Sequence, residues 1–142
     1  MMRVGVTLGC WLAGAAVGGE FDRVELETCL RDAAPGSSGS ECLVPWRHQC
    51  NSLLQGGTLD QDIVCLERAN ATLAGWSDEM LAAQVVELTT EQVADYRRRL
   101  RGFCLGQIAS GGKVDDVGFG LCELAGNAAL HKDLLRRSDA AD

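Results

Sequence analysis

The chain has 142 residues, with 20 acidic against 13 basic side chains and a net charge of −7. A phosphate backbone needs a basic face, so this balance argues against nucleic acid as a partner. Hydrophobic residues are 46% of the chain and aromatics 5%, enough apolar content for one packed domain at this length.

Met1-Met2-Arg3 forms a short positive start, and Val4 to Val17 follows without a charge. Ala16-Val17-Gly18 places small residues where a signal peptidase reads them, so residues 1–19 are expected to be a signal peptide cut after Gly18 or Gly19. An uncleaved anchor is less well supported, because the run is short and glycine-rich against the roughly 20 apolar residues that a span needs. Acylation at Cys10 would leave almost no hydrophobic region before it. No later stretch approaches a span, so the mature chain is read as free of one. Cleavage removes Cys10 and leaves six cysteines, and an even set in a small exported chain points to disulfides.

Alanine and leucine are plentiful, β-branched and aromatic residues are sparse, and alternating apolar runs are absent, which points to an all-α fold. A first helix is expected over about residues 20–33, with Phe21, Val24, Leu26, Cys29 and Leu30 near helical spacing. Pro35-Gly36-Ser37-Ser38-Gly39 interrupts the chain. A short second helix is expected from about Ser40 to Leu54, with Pro45 in its first turn, where a missing N–H costs nothing.

Thr58-Leu59-Asp60-Gln61 fits a capping box and opens a long third helix carrying Leu59, Ile63, Leu66, Leu73 and Met80. Asn70 and Ser77 interrupt that stripe. Thr89-Thr90-Glu91-Gln92 starts a fourth helix with a second capping box, and Val93, Tyr96, Leu100, Phe103 and Ile108 fall on one side of it. Ser110-Gly111-Gly112 closes it. Asp115 is placed to cap a fifth helix with Val117, Leu121, Leu124, Ala128 and Leu135 inward, and with Lys132, Arg136 and Arg137 complementing its dipole. The expected domain covers residues 20–137, a disulfide-stapled bundle of about five helices ending in an antiparallel helical hairpin, and residues 138–142 form a frayed tail.

Six cysteines allow fifteen pairings, and sequence alone does not choose among them. A hairpin of the last two helices could bring Cys104 and Cys122 within disulfide range. Cys42 and Cys50 would stand about 12 Å apart on one straight helix, at 1.5 Å per residue. Neighbour pairing, Cys29–Cys42 and Cys50–Cys65, is then the simplest scheme.

Chemistry-bearing patterns are few. Cys42, His48 and Cys50 do not have a recurrent zinc spacing, and no Cys-x-x-Cys is present, so neither metal nor cofactor is expected. His131 lies among helix-terminal cations and reads as a surface residue. An enzyme would have to pair His48 or His131 with a nearby carboxylate. Asp115-Asp116 has a sufficient role as a helix start. Asn70-Ala71-Thr72 is a glycosylation sequon inside a predicted helix. Arg97-Arg98-Arg99 with Arg101 is unusual in an acidic chain, but consecutive helical residues point in different directions, so the four are not expected to form one patch.

In the fourth and fifth helices, Tyr96, Cys104, Ser110-Gly111-Gly112 and Cys122 follow one another in an order that resembles the lysozyme inhibitor LprI-like domain of bacterial envelope proteins. Cys65-Leu66-Glu67 leading to Trp76 is similar to that family's preceding long helix. Tyr96 stands where a tryptophan is usual. The resemblance implies the helical hairpin, the Cys104–Cys122 disulfide, a periplasmic location and a non-enzymatic role in binding a protein. The partner it implies is a lysozyme-type muramidase, often a basic protein. Insertion into that enzyme's cleft would use the exposed loop residues Ser110, Gly111, Gly112, Lys113, Asp115 and Asp116. The alternatives are an accessory subunit of an envelope complex and an envelope hydrolase using His48 or His131.

Overall fold

A computed structural model describes residues 21–52, 56–83, 86–108 and 115–141. The expected signal peptide, and Ser110, Gly111, Gly112 and Lys113 of the expected binding loop, lie outside them. The described residues form five α-helices and one 3-10 turn, and no strand. Helix α1 spans Arg23–Asp32, and the 3-10 turn Ser40–Leu43 leads into α2, Val44–Gln49. Helices α3, α4 and α5 span Leu59–Ala82, Thr90–Ile108 and Asp116–Ala141. None is long and apolar enough to cross a membrane.

Local chemistry sets most of the boundaries. Asp22 accepts from the Glu25 N–H and caps α1. Both capping boxes form: the Gln61 N–H donates to Thr58 Oγ1 while the Thr58 N–H donates to Gln61 Oε1, and Thr89 and Gln92 repeat the exchange. Asp115 accepts from the Val117 N–H at the start of α5.

The second element departs from the single helix expected over Ser40 to Leu54. Pro45 has no N–H to offer the Glu41 carbonyl four residues back, so that carbonyl accepts from Val44 instead, and the entry is a 3-10 turn. Gly39 precedes it at φ +80°, and a Cβ there would fall 2.6 Å from Leu30 Cδ2. The last helix continues through Ala141, past the Ser138 where the sequence reading begins a frayed tail; Asp139 pairs with Arg31 of α1 at 3.0 Å.

Helix α5 is central and packs against α1, α3 and α4. Contacts that climb together, Leu66 with Gly120 and Ser77 with His131, make α3 and α5 parallel. Tyr96 with Gly126 and Cys104 with Cys122 run in opposite order, so α4 and α5 form the antiparallel hairpin. Two glycines let the helices approach. A Cβ on Gly126 would meet Leu100 Cδ1 at 2.2 Å, and one on Gly120 would meet Leu66 Cβ at 3.0 Å.

Leu26, Leu30, Leu43, Leu66, Leu73, Leu124, Leu134 and Leu135 are fully buried, each worth about 1.5–3 kcal/mol of hydrophobic stabilisation. Trp46 is buried between Phe21, stacked at 4.3 Å, and Trp76, edge-on at 5.6 Å. Helix α4 is peripheral: among its described side chains Val93 and Cys104 are the buried ones, and Phe103, expected to face inward, is 61% exposed.

The cysteines pair as Cys29–Cys42, Cys50–Cys65 and Cys104–Cys122, with Cα separations of 5.7, 5.3 and 5.7 Å. They tie α1 to the 3-10 turn, the end of α2 to α3, and α4 to α5. Beside Cys50–Cys65, the buried Asp62 accepts from both the N–H and the hydroxyl of Ser52 at 2.6 Å, which fixes the chain leaving α2.

Candidate functional site

The polar residues that interrupt the apolar stripe of α3 lie at its junction with α5. Ser77 and His131 are 1% and 0% exposed. His131 Nε2 lies 2.8 Å from Glu27 Oε1, and Nδ1 lies 2.9 Å from Ser77 Oγ. Burial pushes the imidazole below its ordinary value, against the pull of Glu27, and so favours the neutral ring. An ionised Glu27 can only accept, so Nε2 carries the proton and donates to it, and Nδ1 accepts from the Ser77 hydroxyl. Burial alone would raise Glu27, but hydrogen bonds from His131 and Arg23 outweigh it and hold the carboxyl below the usual range. Arg23 donates from Nε to Glu27 and from Nη1 to Glu79, and its guanidinium lies 5.5 Å from the Trp76 ring centre.

This arrangement corrects the surface reading of His131. A serine, a histidine and a carboxylate stand in one hydrogen-bonded chain, but the network joins α1, α3 and α5 from inside. A substrate would have to reach a serine that solvent does not touch. Lys132 is likewise buried, not a terminal dipole partner: its Nζ donates to the carbonyls of Ala34 and Ser37 and clamps the segment after α1. The signal for His131 was the spacing of α5. Leu124, Ala128 and Leu135 leave a vacancy on the inward face that position 131 fills.

His48 is exposed on α2 and joins no carboxylate among the described residues. Asn70 is half-buried; its amide donates to the carbonyls of Leu66 and Gly120, and its Oδ1 accepts from Asn127. The sequon nitrogen is therefore occupied within the fold. Among the described residues no group of three or more His, Cys, Asp or Glu is arranged to hold a metal ion.

The open feature is a groove between α3, α4 and α5, made of two adjoining hollows of about 460 and 340 Å3 that share Asn70, Arg101 and Glu123. The first is lined by Glu67, Asp116 and Glu123 together with Phe119, above which Arg101 lies at 5.9 Å. The second carries Arg97, Arg98 and Arg101. Three of the four arginines of the run therefore share one wall, because positions i, i+1 and i+4 fall within one helical arc. Arg99 pairs instead with Asp95 at 2.6 Å. Of the two described residues from the expected binding loop, Asp116 lines this groove and Asp115 is engaged in capping α5. A third, mostly apolar hollow lies between α4 and α5 beside Leu88, Val93, Tyr96 and Leu130. There Tyr96 donates to the Gly126 carbonyl at 2.7 Å, and burial pushes its phenol up.

No family model, no curated protein and no solved structure matches the chain.

Proposed function

We propose that this chain is an exported, non-enzymatic binding domain whose partner is a basic, lysozyme-type muramidase in the bacterial periplasm. The observation that carries the non-enzymatic part is the sealing of Ser77 and His131 inside the helix junction, against a half-buried Glu27. The remaining histidine, His48, has no carboxylate partner among the described residues, so neither histidine supports hydrolase chemistry.

The partner rests on the resemblance of the α4–α5 hairpin and on charge. An excess of 20 acidic over 13 basic side chains attracts a cationic enzyme at long range and speeds encounter, more than it adds to final affinity. The three disulfides suit an oxidising compartment.

The test is calorimetric titration of the oxidised chain into a basic lysozyme at ionic strengths of about 0.01 and 0.15 M, where the screening length falls from about 30 to 8 Å. The proposal expects a one-to-one complex that weakens with salt. Absence of heat at both salts, or binding indifferent to salt, counts against it. An accessory-subunit reading draws on Phe103 and Leu105, exposed on the outer α4; it expects self-association or a stable envelope complex, and no effect on lysozyme.

A further inference from the structure

We infer that the arginine-lined half of the α3–α4–α5 groove is a binding site for an oxyanion, a carboxylate or a phosphate, carried on a small organic body. The inference does not depend on the muramidase reading, because its ligand is opposite in charge to that enzyme; of the expected binding loop, Asp116 lines the adjoining hollow. The hollow of about 340 Å3 is of the size that holds small ligands. Its α4 wall carries Arg97, Arg98 and Arg101, and its α3 wall offers the methyl groups of Ala71 and Ala74. Guanidinium forks match the two oxygens of a carboxylate or phosphate, and the small apolar wall leaves room for the body that carries them.

The three arginines differ in how much they are already committed. Arg97 gives Nη1 to Asp78 and Nη2 to the Ala74 carbonyl, while its Nε is buried with no hydrogen-bond partner. A buried donor without an acceptor is uncommon in a folded protein; an anionic oxygen in the groove would reach it only with a turn of the Arg97 side chain. Arg98 is held by Asp95 in an exposed pair, which is weak and readily exchanged. Arg101 forms no ion pair among the described residues; it lies over Phe119, and its charge acts on Glu123 of the same groove. Glu123 of α5 opposes an anion in the groove, and burial pushes its carboxyl up against the pull of Arg101.

The experiment is a titration of the full oxidised chain followed by the arginine Nε–H signals in proton–nitrogen NMR. The probes are N-acetyl-alanyl-alanine, its C-terminal amide, and inorganic phosphate. The free acid is expected to shift Arg97 and Arg101 saturably and the amide to leave them in place. Saturation by phosphate alone would overturn the organic body and leave a site for free oxyanions. R101Q, which removes a guanidinium with no ion pair among the described residues, should weaken binding at least about tenfold with an unchanged far-ultraviolet spectrum. R99Q, the same charge change outside the groove, should bind like the parent chain. Silence from both anions, an amide that titrates like the acid, or equal losses in R99Q and R101Q would each overturn the inference.

Discussion

His131 shows how one buried residue couples stability to pH. Its folded value lies below the ordinary 6.5, so the unfolded chain takes up the proton more readily, and acidification from about pH 6.5 favours unfolding. Glu27 lies below its ordinary 4.5, so its contribution is complete above that pH and is lost as pH falls through the folded value. The two act in the same direction. Stability measured by urea unfolding should be level between about pH 7 and 9 and fall in two limbs below it, and H131N should abolish the upper limb. S77A leaves Nδ1 as a buried acceptor without a donor, at a cost of about 1–3 kcal/mol. A serine of no structural consequence would leave the urea midpoint unchanged.

At the scale of single helices, glycines separate packing from propensity. Gly102 and Gly106 of α4 have open space where a Cβ would stand, so G102A should stabilise by up to about 1 kcal/mol. Gly126 lies under Leu100, and G126A should destabilise by about 1–3 kcal/mol despite the better helix former, because the α4–α5 approach must open. Thermal melts of the two variants should move in opposite directions. Helix starts were legible in the sequence because capping is local: the Thr58–Gln61 and Thr89–Gln92 boxes fix two boundaries by themselves. The face of α4 was not legible. Phe103 fits its apolar spacing but projects into solvent, because α4 touches the bundle along one edge. Its outer half is held chiefly by Cys104, so C104S/C122S should lose hydrogen-exchange protection first in Arg101–Ile108, while α3 and α5 stay protected.

Over the whole molecule, three short-range bridges and one central helix do most of the organising. The pairs span 13, 15 and 18 residues, and each contributes about 2–4 kcal/mol, against a net stability of about 5–15 kcal/mol for a domain. Reduction should therefore remove most of the far-ultraviolet helical signal at 37 °C; a reduced chain as helical as the oxidised one would contradict this. The all-α class was legible from composition. The polar junction was legible only in fragments, Ser77 in the stripe of α3 and position 131 on the inward face of α5, because the network needs Ser77, Glu27 and His131 to meet from three helices far apart in sequence. The groove was half legible: the arginine run stands out, but its opposite wall comes from α3 and α5. The central functional claim is tested most directly by the lysis of a peptidoglycan suspension by a basic lysozyme, with and without the folded, oxidised chain, at low and moderate salt. Dose-dependent protection that weakens with salt is the expected result. Full lysis in the presence of micromolar oxidised chain at low salt would contradict it.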